Sequence, residues 1–147
     1  MENTKTVNAF GQEFAVLRES GVVKGRDGWE TKTRIDLGVD GKGKKRVLEL
    51  DTGKPHRRQD KAFGATTTGT LFIDSGDGFL SLALMQDFCQ TVHRGEPGRC
   101  TEKAVRACHA AAMDNVDWII QSVVSYYVDR GESVAWGTVT PKVAEAA

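Results

Sequence analysis

Residues 31–39 read Thr-Lys-Thr-Arg-Ile-Asp-Leu-Gly-Val, so threonine or apolar side chains alternate with charged residues and glycine. A period of two places successive side chains on opposite faces of a β-strand. The stretch therefore predicts a half-buried strand with one face in the core and the other in water. It decides the fold because the segments on both sides of it are predicted to pair with it.

These flanking segments predict an antiparallel meander of about five strands. Residues 40–43 (Asp-Gly-Lys-Gly) have the glycines of a tight turn, so residues 45–52 are predicted to return beside the first stretch. The other predicted strands are residues 13–24, 65–74 and 79–84.

The hydrophobic period changes from two to three or four near residue 85, which predicts helices. A short helix is expected over residues 85–94, followed by a long C-terminal helix of about 30 residues, or roughly 45 Å. Thr101 is a suitable N-cap for the long helix. Its apolar stripe consists of Val105, Cys108, Ala112, Val116, Ile119, Ile120, Val123 and Tyr127. Because this stripe is longer than one small sheet covers, we expect a homodimer through the long helix.

The composition is typical of one globular α+β domain. The chain has 147 residues, of which 39% are hydrophobic and 27% charged. We expect a single α+β domain over residues 1–131 and a partly mobile C-terminal tail over residues 132–147. Residues 1–5 open no apolar stretch, no apolar run is long enough for a membrane span, and the three cysteines are irregularly spaced. These features predict a cytoplasmic protein with no membrane segment.

The charge is balanced overall but unevenly placed. Lys plus Arg and Asp plus Glu each number 20, yet residues 41–61 hold eight basic residues against three acidic ones. These basic residues fall on a predicted hairpin tip and on the following loop, at opposite ends of the strand that joins them. Such an arrangement predicts a basic stripe along the sheet, which is what a phosphate backbone requires. The alternative is that these charges only solvate two loops.

Aromatic side chains near these loops could stack on bases, which favours single-stranded DNA or RNA as the ligand. We therefore predict a non-enzymatic nucleic-acid-binding module with a regulatory or accessory role. Its predicted binding residues are Lys42, Lys44, Lys45, Arg46, Lys54, His56, Arg57, Arg58, Lys61, Phe63 and Trp29. The alternative function is a protein-binding adaptor or inhibitor that docks the same stripe on an acidic partner.

The order of several antiparallel strands followed by a long helix resembles the single-stranded-DNA-binding folds of the transcriptional-coactivator and Whirly type. This resemblance implies that the sheet grips nucleic acid and that the helices mediate assembly. It lies in the order of elements, and no binding residue is carried over from it.

A metal site and a catalytic site are the remaining alternatives. Cys89 and His93 would share one face of the short helix, and Cys100 and His109 could complete a zinc site, but no CxxC knuckle accompanies them. Buried cysteine packs as a small apolar residue, and Cys108 is predicted to lie in the core. Trp118 is likewise expected to have a core role. Because the sequence contains no catalytic motif, we expect no enzymatic activity and no cofactor.

Overall fold

The computed structural model describes residues 5–9, 12–39, 45–74, 80–81 and 89–128, which form an antiparallel sheet and two helices. The α+β class predicted from the sequence is thereby confirmed. The strands are β1 (Thr6–Ala9), β2 (Gln12–Glu19), β3 (Val23–Gly25), β4 (Gly28–Val39), β5 (Lys45–Gly53), β6 (Thr66–Asp74), β7 (Leu80–Ser81) and β8 (Cys89–Arg94). The helices are α1 (Glu102–Asp114) and α2 (Val116–Val128). The predicted turn at residues 40–43 and the predicted tail lie outside the described residues.

The sheet is larger than the predicted five-stranded meander. Its strands run in the order β1-β2-β4-β5-β6-β7, while β3 pairs with β4 and β8 pairs with β6. The predicted strand 13–24 is divided into β2 and the short β3, which forms a hairpin with β4 through a turn at residues 26–27. The centre of the meander is as predicted, because β4, β5 and β6 pair consecutively along the sheet.

The alternation that predicted β4 also sets its two faces. Thr31, Thr33, Ile35 and Leu37 are buried, whereas the residues between them are only half-buried. In the register of β4 with β5, Thr33 lies opposite Leu50 and Ile35 lies opposite Leu48. This face is covered by α1 and by the buried side of α2, which together complete the hydrophobic core.

The predicted short helix is wrong where the structure describes it, because residues 89–94 form strand β8. In its register with β6, Cys89 lies opposite Thr70 and His93 lies opposite Thr67. Thr91 and Val92 are β-branched and favour an extended backbone. Pairing with β6 favours a strand over a helix in this segment. The local sequence pattern contains no information about this pairing, because β6 lies elsewhere in the chain.

The single long helix is also wrong, because Asn115 divides it into two helices of 13 residues each. Asn115 leaves helical geometry with φ −111°, and its side-chain Nδ2 donates to the Ala111 carbonyl at 2.9 Å. Asparagine competes for backbone hydrogen bonds in this way and can end a helix without glycine or proline. The predicted N-cap is confirmed, since Thr101 Oγ1 accepts a hydrogen bond from the Ala104 N–H at 3.0 Å.

The apolar stripe of the two helices is covered by the chain's own sheet. Ala112, Val116, Ile119, Ile120 and Val123 are buried in one cluster with residues of β4 and β5. This part of the stripe is therefore not available to a second copy of the chain, as the predicted homodimer would require. Trp118 does not have the predicted core role, because 70% of its surface is exposed. Within the described ranges, neither helix combines the length and the apolar character needed to cross a membrane.

Candidate functional site

Three loops meet at one end of the sheet. They are the β3–β4 turn at residues 26–27, the β5–β6 loop at residues 54–65 and the β8–α1 loop at residues 95–101. The backbone of Gly64 donates to the Glu96 carbonyl at 2.8 Å, and that of Gly98 donates to the Ala62 carbonyl at 3.0 Å. We call this region the loop end.

The close approach of two of these loops depends on a glycine. A Cβ atom at Gly64 would lie 2.7 Å from the Arg99 carbonyl oxygen, which is shorter than real Cβ contacts. Glycine therefore allows the two backbones to pack against each other at this point. The resulting contact holds Arg99 next to the β5–β6 loop.

An open cleft of about 410 Å³ lies between the three loops. Its size falls within the range of pockets that hold small ligands. Three cationic side chains line it, Lys54, Lys61 and Arg99, together with the ring of Phe63 and with Pro55. Asp27 is the acidic residue of the lining, so positive charge predominates in the cleft.

The loop beside this cleft presents further positive charge. We call residues 54–61 the basic loop, and its cations Lys54, Arg57, Arg58 and Lys61 are all exposed, as is His56. Exposed cations held close together attract anionic ligands. The structure thus brings these residues and Phe63 together at the loop end, as the sequence predicted for this loop.

The acidic residue of the basic loop points inward. Asp60 is 1% exposed, and its carboxylate accepts hydrogen bonds from Arg94 Nε at 2.7 Å and from Thr91 Oγ1 at 3.2 Å. The hydrogen bond from Arg94 is the main reason that the pKa of Asp60 lies below its ordinary value. This contact anchors the basic loop to β8 and removes its one negative charge from the surface.

Asp60→Asn is expected to lower the melting temperature near neutral pH, because the amide keeps the size of the side chain but loses the charge that faces Arg94. Because the pKa of Asp60 is lowered, its ionised carboxylate stabilises the fold at pH values above 3.8, the ordinary pKa of this group. This contribution is lost as the pH falls from 3.8 through the pKa of the folded state. The difference in melting temperature between the wild type and the variant should therefore decrease at acidic pH. Thermal melts at several pH values measure this, with Asp27→Asn as the exposed control. Equal melting temperatures near neutral pH would contradict the anchoring role.

The other basic residues of the predicted stripe lie elsewhere. Lys45 is at the opposite end of β5, where its Nζ is 3.4 Å from Asp36 Oδ2. Arg46 is 7% exposed, so its side chain is largely withdrawn from solvent. Lys42 and Lys44 lie outside the described residues. Of the predicted stripe, the structure therefore describes a basic cluster at the loop end.

Trp29 lies near the loop end but faces the core. Its ring packs beside Ala65, Val105 and Cys108, and Lys24 Nζ lies 5.9 Å from the ring centroid. This position leaves Phe63 as the aromatic ring that lines the basic cleft. Arg99 was not predicted from the sequence, because contacts between the β5–β6 and β8–α1 loops, including the bridge between residues 63 and 97, bring it to the cleft.

A smaller cavity of about 50 Å³ adjoins the cleft and has a different character. Its lining includes Glu30 and Asp51, together with Lys54 and His56. Burial raises the pKa of Asp51, and the neighbouring carboxylates of Glu49 and Glu30 raise it further, against the opposing effect of Lys32. The acidic side chains make this cavity unfavourable for phosphate, so the anion-attracting part of the loop end is the larger cleft.

The four residues considered for zinc are dispersed. Cys89 is exposed on β8, His93 lies on the same strand, Cys100 is in the β8–α1 loop and His109 is on α1. The helical spacing proposed for Cys89 and His93 does not exist, because residues 89–94 are extended. In the part of the chain that the structure describes, no group of three or more His, Cys, Asp or Glu side chains could hold a metal ion.

His109 instead connects α1 to the sheet. Its Nε2 lies 2.7 Å from Thr33 Oγ1 on β4, and its Nδ1 lies 2.6 Å from Thr52 Oγ1 on β5. Thr52 Oγ1 is also 2.6 Å from Thr67 Oγ1 on β6. Burial lowers the pKa of His109 and so favours the neutral imidazole, which can donate through one nitrogen and accept through the other.

The same network continues to Cys108. Thr67 Oγ1 lies 3.5 Å from Cys108 Sγ, and burial raises the pKa of this thiol. Cys108 is 2% exposed and packs with Ala65 and Val105, so the core position predicted for it is confirmed.

No family model, curated protein or solved structure matches this chain. The resemblance in element order to the transcriptional-coactivator and Whirly folds therefore has no structural match beside it. The loop end is therefore the feature that points to a function.

Proposed function

We propose that the protein is a non-enzymatic module that binds single-stranded DNA or RNA at its loop end, in a regulatory or accessory role. The observation that carries this proposal is the cleft lined by Lys54, Lys61, Arg99 and the ring of Phe63. It combines the two chemistries that a single strand offers, since phosphates bind cations and bases stack on aromatic rings.

The basic loop supplies the phosphate-binding part of this surface. Its four cations are exposed, and its acidic residue, Asp60, is buried and paired with Arg94. A strand that lies along residues 54–61 would thus meet cations without a carboxylate between them on the loop. Binding would release condensed counterions from the strand, so affinity should fall steeply with salt.

Phe63 distinguishes a single strand from other anionic ligands. A base must be unstacked to reach an aromatic ring, and single strands offer such bases whereas a duplex keeps them paired. An acidic protein partner, the alternative function, would use the cations but not the π-face of the ring. The ring at the cleft therefore favours nucleic acid over an acidic protein surface.

The test is fluorescence anisotropy with labelled single strands of DNA and RNA and with a matched duplex, at several salt concentrations. We expect the single strands to bind more tightly than the duplex. Phe63→Leu keeps apolar volume but removes the π-face, and it should weaken single-strand binding about tenfold, since stacking contributes about 1–3 kcal/mol per base. The salt dependence should stay the same, because stacking is not ionic.

Two controls accompany this test. Phe63→Tyr retains an aromatic ring and should bind like the wild type, while Lys5→Ala removes an exposed cation that precedes β1 and should also leave binding unchanged. If no strand binds even at low salt, the nucleic-acid proposal is wrong and an acidic protein partner becomes the leading alternative. If Phe63→Leu binds like the wild type, the ring has no stacking role.

A further inference from the structure

A second basic cluster lies on the face of the sheet opposite the helices. Thr33 and Ile35 of β4 face the core, so Lys32 and Arg34 between them face the other side. Arg18 on β2 is paired directly with Arg34 in the strand register. Together with Ser20, these three cations line a cavity of about 90 Å³. We call Arg18, Lys32 and Arg34 the sheet cluster.

The backbone fixes the position of this cluster. Ser20 N donates to the Lys32 carbonyl at 2.9 Å, and Lys32 N donates to Ser20 Oγ at 3.0 Å. Ser20 and Lys32 thus form one cross-strand pair, and Arg18 and Arg34 form the next. Opposite residues in such pairs have Cβ atoms about 5 Å apart, so the three cationic side chains begin close together.

The pairing of two arginines is unfavourable unless negative charge offsets it, because like charges directly opposite each other destabilise a strand pair. Glu49 offsets one of them, since Arg34 Nε donates to its Oε2 at 2.9 Å. Among the described residues no carboxylate forms an ion pair with Arg18 or Lys32. Asp51 lies opposite Lys32 on β5, and its burial disfavours the charged form.

We infer that the sheet cluster binds a phosphate group. Three cations face two carboxylates, Glu49 and Asp51, so the cluster keeps an excess of positive charge that attracts a phosphate group. Arg34 uses Nε for Glu49, so its terminal nitrogens can donate to the ligand beside Arg18 and Lys32. The cavity has room for a single phosphate group but not for a nucleotide, since pockets for larger ligands begin at about 300 Å³.

This phosphate could belong to inorganic phosphate or to the backbone of a nucleic-acid strand. The cavity at the sheet cluster and the cleft at the loop end share no lining residue, so the two sites are distinct. The inference therefore does not depend on the proposed function. A variant with a neutralised basic loop should retain phosphate binding at the sheet cluster.

The test is titration of the full chain with inorganic phosphate at constant ionic strength, followed by backbone NMR shifts and by the melting temperature. We expect saturable shifts at residues 18–20 and 32–34 and a rise in melting temperature that chloride does not produce. Arg18→Gln should weaken phosphate binding about tenfold, because it removes a charge-assisted hydrogen bond. Without phosphate, the same variant should melt slightly higher than the wild type, because the repulsion between the two arginines is gone.

Arg18→Lys should restore part of the binding, and Lys5→Gln should behave like the wild type. Oligonucleotide binding to Arg18→Gln then identifies the source of the phosphate: a weaker affinity points to the strand backbone, and an unchanged affinity points to inorganic phosphate. If phosphate produces no saturable shift, or if Arg18→Gln binds it as tightly as the wild type does, the inference is wrong.

Discussion

Replacing Lys54, Arg57, Arg58 and Lys61 together by Ala is expected to reduce the affinity for single-stranded nucleic acid by about two to three orders of magnitude at roughly 0.1 M salt. Each phosphate neutralised on a single strand contributes about −0.7 to the slope of log affinity against log salt. Losing four contacts should therefore make the slope less negative by up to about 2.8. Anisotropy titrations of the wild type and the variant over a salt series measure both quantities.

The fold should survive this fourfold change. All four side chains are exposed, and among them Arg57 makes one hydrogen bond, from Nη2 to the Cys89 carbonyl at 3.2 Å. A matched control replaces Lys5, which precedes β1, and Arg106 on α1; both cations are exposed, and this variant should keep the wild-type slope. If the fourfold variant keeps both the affinity and the slope, the basic loop is not the binding surface.

His109→Ala is expected to lower the free energy of unfolding by about 2 kcal/mol near neutral pH. The change removes the partner of the Thr33 hydroxyl and one partner of the Thr52 hydroxyl. A buried polar group left without a partner costs about 1–3 kcal/mol, and Thr52 retains its contact with Thr67. Chemical denaturation measures the loss, and His109→Gln should recover part of it because an amide both donates and accepts.

The same histidine should make stability depend on pH. Burial lowers its pKa in the folded protein below the ordinary value of 6.5, so the unfolded chain takes up the proton first as pH falls. The contribution of neutral His109 to stability is therefore complete above pH 6.5, and it decreases as the pH falls from 6.5 towards the pKa of the folded state. His109→Gln should remove this dependence, while the exposed His56→Ala should retain it. A wild-type stability that is constant across this range would contradict the buried, neutral state of His109.

The sequence predicted those parts of the fold that local patterns determine. The alternation in residues 31–39 is a property of one strand, and the burial of Thr33, Ile35 and Leu37 follows from it. Thr101 caps α1 through a contact three residues away, which is also local. The strand at Cys89–Arg94 was not predicted, because it depends on pairing with β6, 19 to 28 residues earlier in the chain.

The break at Asn115 was missed for a different reason. The periodicity continues through it, since Ala112 and Val116 are both buried, and only the side-chain hydrogen bond to Ala111 marks the interruption. An apolar period records which residues face the core but not whether the backbone stays helical between them. The homodimer was predicted from a continuous helix, and the break at Asn115 removes that continuity.

The candidate site was predictable only in part. Lys54, Lys61 and Phe63 belong to one loop, so their proximity could be read from the sequence. Arg99 joins them through the contact of Gly64 with a loop more than thirty residues later. Arg18 and Arg34 meet through strand register, and register across a sheet is set by tertiary pairing.

The most direct test of the binding surface is an NMR titration of the isotope-labelled protein with a short single-stranded oligonucleotide at low salt. If the loop end binds the strand, the largest backbone shifts should fall on residues 54–63 and 96–100, while those of α2 remain unchanged. Saturable binding whose shifts concentrate on α2 or on β1, with residues 54–63 unaffected, would contradict this assignment.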